Sequence, residues 1–361
     1  MQRKVVTKRK IINIKDIDMH QYDYIISLEW SMKRMVIGLK KTPDGKAKII
    51  ERETNLEELK KILKTMPGKK IMTIEETTSS HWLYCELKDK YVDKIVICDP
   101  YYNKIIGYGP KNDKADAEKL CDLLGHKQLN EVSHEGDKEL YEMRKLISSY
   151  DDIVKVGVQV QNQRKAVYRG LGISEDAEIK NKSIKFAVDK YNEIIDSYEA
   201  IKEEYENKFK MLCKRHQILR YLKQIPGISH IRAVKIYGTI IIAERFKNKG
   251  KYLSYCGLVL LDRESGGKSY GKKKSRYSRV LKECFIGAMQ SAIGGNNPVN
   301  EYYEYHRKNG LGERESKVKT IRYIALASLG IIKHREKYEP YKWRDNLKVN
   351  NKTINISVNL N

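Results

Sequence analysis

The chain reads as an α/β domain followed by an all-α domain, with a long coiled-coil helix between them. Short apolar, β-branched runs alternate with helical segments over residues 24–124, which is the pattern of a layered α/β sheet. From Lys182 to Gln217 apolar residues recur at steps of three and four, and the remainder to Tyr341 reads as mostly helical. The expected organisation is a basic arm over 1–20, the α/β domain over 21–170, a coiled-coil linker over 171–217, a helical domain over 218–341 and a flexible tail over 342–361.

Tyr24–Glu29 (YIISLE), Met35–Leu39 (MVIGL) and the weaker Lys48–Glu51 (KIIE) are three successive strands. Leu56–Leu63 is a helix with Leu56, Leu59, Ile62 and Leu63 on one face. Lys70–Glu75 (KIMTIE) and Lys94–Cys98 (KIVIC) are strands, the second stopped by Asp99-Pro100. His81–Leu87 opens one helix and Ala115–Leu124 forms another, which turns Leu120, Leu123 and Leu124 inward. The order β-β-β-α-β-α-β-α is that of a ribonuclease-H-like sheet, and open α/β sheets build their sites at strand ends. In the long helix, Val188, Tyr191, Ile195, Tyr198, Ile201, Tyr205, Phe209 and Leu212 make one apolar stripe, with Gly170–Asp176 as the linker before it.

Lys and Arg number 71 against 47 Asp and Glu, a net charge of +24, so the expected partner is anionic and nucleic acid is the default. A hydrophobic content of 40% argues against wholesale disorder. No apolar run reaches the roughly 20 residues of a membrane helix, and the basic start has no apolar signal core. The six cysteines are scattered without a CxxC pair, which predicts buried free thiols, a reducing cytoplasm and no structural zinc.

Two groups of residues carry chemistry. Glu29 ends the first strand, Glu75 the fourth, and Asp113 and Asp116 stand at i and i+3 around the start of the last helix of the sheet domain. In the inferred topology these four carboxylates converge. Four like charges in one place require a cation, and magnesium is the hard ion that prefers oxygen ligands. Glu76 competes with Glu75, because alternation sends neighbours to opposite faces.

The second group lies in the helical domain. IPGIS places Gly227 and Ser229 at a turn before a helix bearing Arg232, resembling a helix-hairpin-helix phosphate contact. Ser265, Gly266, Gly267 and Lys268 form an SGGK loop, followed by Lys272, Lys273, Lys274, Arg276 and Arg279. Glycines admit close approach and cations suit a phosphate backbone. Taken alone, a serine beside glycines is ordinary loop chemistry, and no histidine stands near it in sequence to act as base. The tyrosines of the long helix, like Tyr302, Tyr303 and Tyr305, are explained by packing rather than by nucleophilic catalysis.

SLEWS around Glu29, EETTSSHWLYCEL from Glu75 and KNDKADAEKL around Asp113 and Asp116 resemble the acidic blocks of the insertion-sequence transposases of the "one-ten" family. IPGIS, RFKNKGKYLSYCGLVL, ESGGK and NPVNEYYEYHRKNG resemble that family's C-terminal transposase domain, in the same order. The likeness spans residues 22–341. It implies a RuvC-like DEDD domain and an RNA-guided, site-specific recombinase that acts on donor and target double-stranded DNA with a structured bridge RNA. It further implies that Glu29, Glu75, Asp113 and Asp116 hold magnesium, two ions per composite site. Ser265 becomes the nucleophile of a covalent protein–DNA intermediate, and the chain assembles into dimers and tetramers with subunits sharing sites. An active copy would work at the bacterial nucleoid. One position departs from the family pattern: the first acidic residue is normally Asp, and here it is Glu29, which reaches one methylene further.

For the RNA, the candidate contacts are the basic first domain and the segment Arg144–Arg169, including Asn162, Arg164 and Lys165, with a solvated helix face as the alternative. Two other readings stay open on residues alone. A RuvC-type junction resolvase would use activated water and no covalent step, and a decayed homologue would bind nucleic acid without turnover.

Overall fold

A computed structural model describes residues 14–100, 112–132 and 138–344. The proposed arm, apart from residues 14–20, and the tail beyond 344 lie outside the described residues. The chain divides into two compact units, residues 1–138 and 139–361.

In the first unit, β1 (Tyr24–Trp30), β2 (Arg34–Lys40), β3 (Lys48–Glu53), β4 (Lys70–Glu75) and β5 (Lys94–Cys98) form one sheet in the order β3-β2-β1-β4-β5. The β1–β2 and β2–β3 pairs are antiparallel, whereas β1–β4 and β4–β5 are parallel. Helices α1 (Leu56–Lys64) and α2 (Ser80–Leu87) cover one face, where Leu59, Leu63, Leu83 and Leu87 bury against Ile26, Leu28, Met72 and Ile74. Helix α3 (Asp113–Gly125) covers the other, packing Leu120, Cys121 and Leu124 on Ile25, Ile71, Val96 and Cys98. Each strand thus divides its alternating residues between two apolar layers, as expected for a sheet buried on both sides. The element order expected from the sequence is the one found.

Among the described residues, the second unit is helical apart from one hairpin. Helix α4 (Lys138–Gly170) and helix α5 (Lys182–Arg215) lie antiparallel: Ser149 meets Tyr205 at 2.7 Å, Gln161 meets Glu199 at 3.4 Å and Arg164 meets Asn192 at 3.1 Å. Tyr198 of α5 lies where a side chain at Gly157 of α4 would stand, so the glycine permits the close approach. The partner of the predicted amphipathic helix is therefore α4 of the same chain. Leu140, Met143, Ile147 and Tyr150 of α4 belong to the core of the second unit, which begins at Glu139.

That core is completed by α6 (Gln217–Leu222), α7 (His230–Ile240), α8 (Lys249–Tyr255), α9 (Arg279–Ala292), α10 (Pro298–Lys308) and α11 (Glu313–His334). Between α8 and α9 projects an antiparallel hairpin, β6 (Leu261–Ser265) and β7 (Lys268–Lys273). After α11 the chain returns across α10. Trp343 is buried there with its ring 5.3 Å from both Tyr302 and Tyr305, so the packed chain extends past the expected start of the tail at 342. Tyr302 also stacks on Tyr323 at 4.5 Å, which gives this tyrosine a packing role. Five of the six cysteines are buried free thiols, and Cys85 is half-buried. No helix among the described residues is long and apolar enough to cross a membrane.

Candidate active site and nucleic-acid interface

The register of β1 and β4 builds the acidic corner. Leu28 pairs with Ile74, so one step further Glu29 and Glu75 stand side by side at the carboxyl ends of adjacent parallel strands. Ile25 and Ile71 face α3, and alternation puts Ser27, Glu29, Thr73 and Glu75 on that same face. Glu75, the last residue of β4, is the one of the two glutamates whose charge acts on Glu29.

Helix α3 is held close over these strands. The Ser27 hydroxyl donates to the Ala117 carbonyl at 2.5 Å. Gly38, the neighbour of Ser27 on β2, leaves room for that contact: a Cβ there would stand 2.4 Å from Ser27 Oγ and 2.8 Å from Ala117 O. A glycine inside a strand run is the sequence signal for such a close approach. The Asn112 side chain caps α3 by accepting from the Ala115 N–H at 2.9 Å, which fixes the first turn carrying Asp113 and Asp116. Lys114 pins the same turn to β3 through Glu51 at 2.8 Å, and Arg34 holds that glutamate from β2 at 2.9 Å. Sequence reasoning did not single out Arg34, Glu51 or Lys114, because their pairing depends on cross-strand register.

The electrostatics separate two glutamates in one row of the sheet. Glu51 pairs with Val36 and Val36 with Glu29, so both carboxylates lie on the α3 side. Hydrogen bonding to Lys114, and then the charges of Lys114 and Arg34, hold Glu51 below the usual carboxylate range. Glu29 goes the other way, pushed up to about 8 by burial first and then by Glu75, Asp116 and Asp113. The other three predicted carboxylates therefore act electrostatically on Glu29 as one acidic group. The donor set is entirely oxygen and anionic, which suits a hard divalent cation. Among the described residues, no three acidic, histidine or cysteine side chains are close enough together to hold a metal ion as they stand. The fit is thus one of charge and donor type, and the side chains must draw in to ligate.

Ser265 is elsewhere, the last residue of β6 in a hairpin whose every residue is exposed. Sequence reading took this segment for a loop, since LDRES and KSYGKK lack the apolar alternation of a strand. The available signal was the Gly-Gly pair: Gly266 and Gly267 adopt φ of 57° and 73°, the two left-handed residues of a tight hairpin turn, and Ser265 pairs with Lys268 across it. The Ser265 hydroxyl has no hydrogen-bond partner among the described residues. Lys268, Lys272 and Lys273 line β7, and Lys274, Arg276 and Arg279 follow, all exposed. A lone two-stranded ribbon is marginal. This one is tied down at its base, where Ser275 Oγ meets Ser254 Oγ at 2.6 Å and the Ser278 N–H donates to Tyr255 O at 2.8 Å.

The remaining candidates lie within the helical unit. Gly227 has φ of 87°, and a Cβ there would lie 2.0 Å from the Ala288 carbonyl, so the Pro-Gly turn is packed hard against α9. Ser229 caps α7 by accepting from the Arg232 N–H. Arg232 donates to Gly227 O at 2.8 Å and to Ser291 Oγ at 3.0 Å, tying that turn to α9. Arg164 is bound by Glu175 at 2.8 Å, and Lys165 stands 3.7 Å from the same carboxylate. Asn162 lines an open groove of about 570 Å³ along α4. Arg144 lies on the same helix, among residues packed against the core.

The helical unit carries the segment that is similar to known proteins. The profile of a transposase family, described as Transposase IS116/IS110/IS902, matches residues 219–304. These residues run from α6 into α10 and include IPGIS, the Ser265 hairpin and NPVNEYY. The match supports a transposase function acting on DNA. No curated protein matches the chain.

Proposed function

We propose that this chain is a site-specific DNA transposase that uses Glu29, Glu75, Asp113 and Asp116 to hold magnesium and Ser265 to attack a DNA phosphodiester. The observation that carries the reading is the acidic corner that two strand ends and one helix start jointly build, where burial and then Glu75, Asp116 and Asp113 raise Glu29 to about 8. The strand order β3-β2-β1-β4-β5, antiparallel on one side of β1 and parallel on the other, supports assigning this unit to the ribonuclease-H-like, RuvC-type class. The transposase match over 219–304 supports the second half of the chemistry, since it contains Ser265 and its basic flank.

Magnesium at the corner would stabilise charge on the attacking and leaving oxygens. Glu29, Glu75, Asp113 and Asp116 would hold the ion, Glu29 in its deprotonated form. In the proposed covalent step a bond forms between Ser265 Oγ and phosphorus, and the bond from phosphorus to one DNA oxygen breaks. The serine proton passes to solvent or to the departing oxygen, and the energy of the phosphodiester is kept for rejoining. Guidance by a structured RNA and assembly into dimers and tetramers rest on the resemblance of the ordered motifs, with the α4–α5 pair as an assembly element.

The test combines full-length chain, the noncoding RNA of its element, labelled donor and target DNA, and magnesium, followed by denaturation. A DNA–protein adduct is expected that needs RNA, magnesium and Ser265. Cleavage that survives in Ser265→Ala without an adduct would replace this reading with a resolvase. Tight binding with neither cleavage nor adduct would replace it with a decayed site, and Glu29→Asp is the variant that would restore activity if the longer side chain is the cause.

A further inference from the structure

Among the described residues, two tyrosines each carry a pair of lysines, and carboxylates reach one pair but not the other. In the sheet unit, Lys60 and Lys64 place their Nζ atoms 5.8 and 5.6 Å from the Tyr91 ring centroid. Lys60 is also bound by Glu57 at 2.8 Å and by Glu86 at 3.3 Å, so carboxylates compensate that charge. In the helical unit, Lys274 and Lys282 sit 5.9 and 5.0 Å from the Tyr277 centroid, and no carboxylate reaches either one among the described residues.

The Tyr277 pair is held by the fold. Tyr277 packs on Gly257, where a Cβ would lie 2.5 Å from the ring, and Gly257 has φ of 67°. Lys282 is half-buried on the first turns of α9, whereas Lys274 comes straight off the end of β7. The two ammoniums therefore arrive from different elements onto one ring. Ser278, the residue after Tyr277, caps α9 by accepting from the Leu281 N–H. Contact with the Lys282 side chain, and then its charge, pushes Lys274 below the usual lysine value, the reverse of Lys60, which Glu57 pushes up. Two cations forced together without a counter-charge are stabilised by an anion between them.

We propose that Lys274, Lys282 and the Tyr277 ring form an anchor for one backbone phosphodiester of nucleic acid at the base of the Ser265 hairpin. The proposal rests on the reading of the chain as a transposase, and it adds Tyr277 and Lys282 to the residues that reading uses. The anchor and the serine stand at opposite ends of β7, about 20 Å apart at roughly 3.4 Å per residue. That separation lets one DNA strand be gripped at the base of the hairpin while the tip reaches a different phosphate.

The test measures affinity of the full chain for a labelled DNA duplex, and separately for a structured RNA, across a salt titration. For Lys274→Gln and for Lys282→Gln the slope of log affinity against log salt on DNA is expected to shrink by about 0.9, one phosphate contact. The double variant should lose little more than either single one, because both lysines hold one phosphate. Tyr277→Leu should resemble them and Tyr277→Phe should resemble wild type, with thermal unfolding followed alongside to exclude a folding defect. Lys60→Gln should leave the slope unchanged. A loss confined to RNA keeps the phosphodiester anchor and assigns it to the RNA strand. Unchanged slopes on both nucleic acids, or an equal loss in Lys60→Gln, overturn the anchor while the transposase reading stands. A wild-type chain that binds neither nucleic acid overturns both.

Discussion

The acidic corner and the serine hairpin are built on opposite physical plans. At the corner, β1, β4 and α3 are locked by register, by the Ser27–Ala117 hydrogen bond and by the Gly38 contact, and like charges are forced together in a half-buried place. The hairpin has no buried residue, and a Cβ at Gly266, Gly267 or Gly271 would meet nothing within 4 Å. The first arrangement stores electrostatic repulsion that a cation can relieve. The second offers an exposed ribbon of cations and one hydroxyl. Tight packing is thus concentrated at the carboxylates, and exposure at the basic hairpin.

The largest expected effect tests whether the exposed side carries the chemistry. Ser265→Ala should remove the covalent adduct and lower strand transfer by on the order of 10³-fold. Its melting temperature should match that of wild type, since the hydroxyl bonds nothing. Retained transfer with a shifted melting temperature would reverse the assignment.

Gly38→Ala attacks the corner by its packing. The added methyl meets Ser27 Oγ and the Ala117 carbonyl, so α3 must shift, at a cost of about 1–3 kcal/mol. Denaturant unfolding of the variant should show that loss, and magnesium-dependent cleavage should fall with it. Normal cleavage in a destabilised variant would mean that α3 does not position Asp113 and Asp116 for the reaction.

Glu29 makes stability depend on pH in a defined direction. Its carboxyl is raised from 4.5 to about 8 in the folded chain, while the unfolded chain loses the proton near 4.5. The folded state therefore holds a proton that the unfolded state has released between those values. Stability is full below about 4.5 and falls as pH rises to about 8, with a ceiling of about 1.4 kcal/mol per pH unit. In chelator, Glu29→Gln should flatten that decline and exceed wild type in stability at pH 8. With magnesium the wild-type decline should itself diminish, because binding the cation expels the proton. A wild-type curve equally flat in both conditions would contradict the raised Glu29 carboxyl.

The smallest effect belongs to the turn. Gly267 has φ of 73° with open space around it, so Gly267→Ala costs only the left-handed backbone, about 1 kcal/mol, confined to the hairpin. Global unfolding should move little while adduct formation slows. A large global loss would show the hairpin to be packed in the working protein.

Much of the first unit is legible in its residues. The runs YIISLE, MVIGL, KIMTIE and KIVIC each bury apolar atoms on both sheet faces, and the Glu or Asp at the end of such a run is visible without a structure. The hairpin is not, because its residues bury nothing and so leave no period. Helix α4 was passed over for a related reason: its apolar residues face the second core only over its first turns, and further along Val156 and Val158 are exposed.

Sequence by itself determined the element order, the four carboxylates, the amphipathic period of α5 and the basic charge, because each is a local property of spacing or of composition. Only the tertiary structure decided that Glu75 stands beside Glu29, that Lys114 and Arg34 pair with Glu51 rather than with Glu29, and that Lys274 and Lys282 meet over Tyr277. Those facts depend on strand register and on which elements touch. Periodicity reports which side of an element is apolar, but not what stands opposite it, and charge pairing is set by what stands opposite.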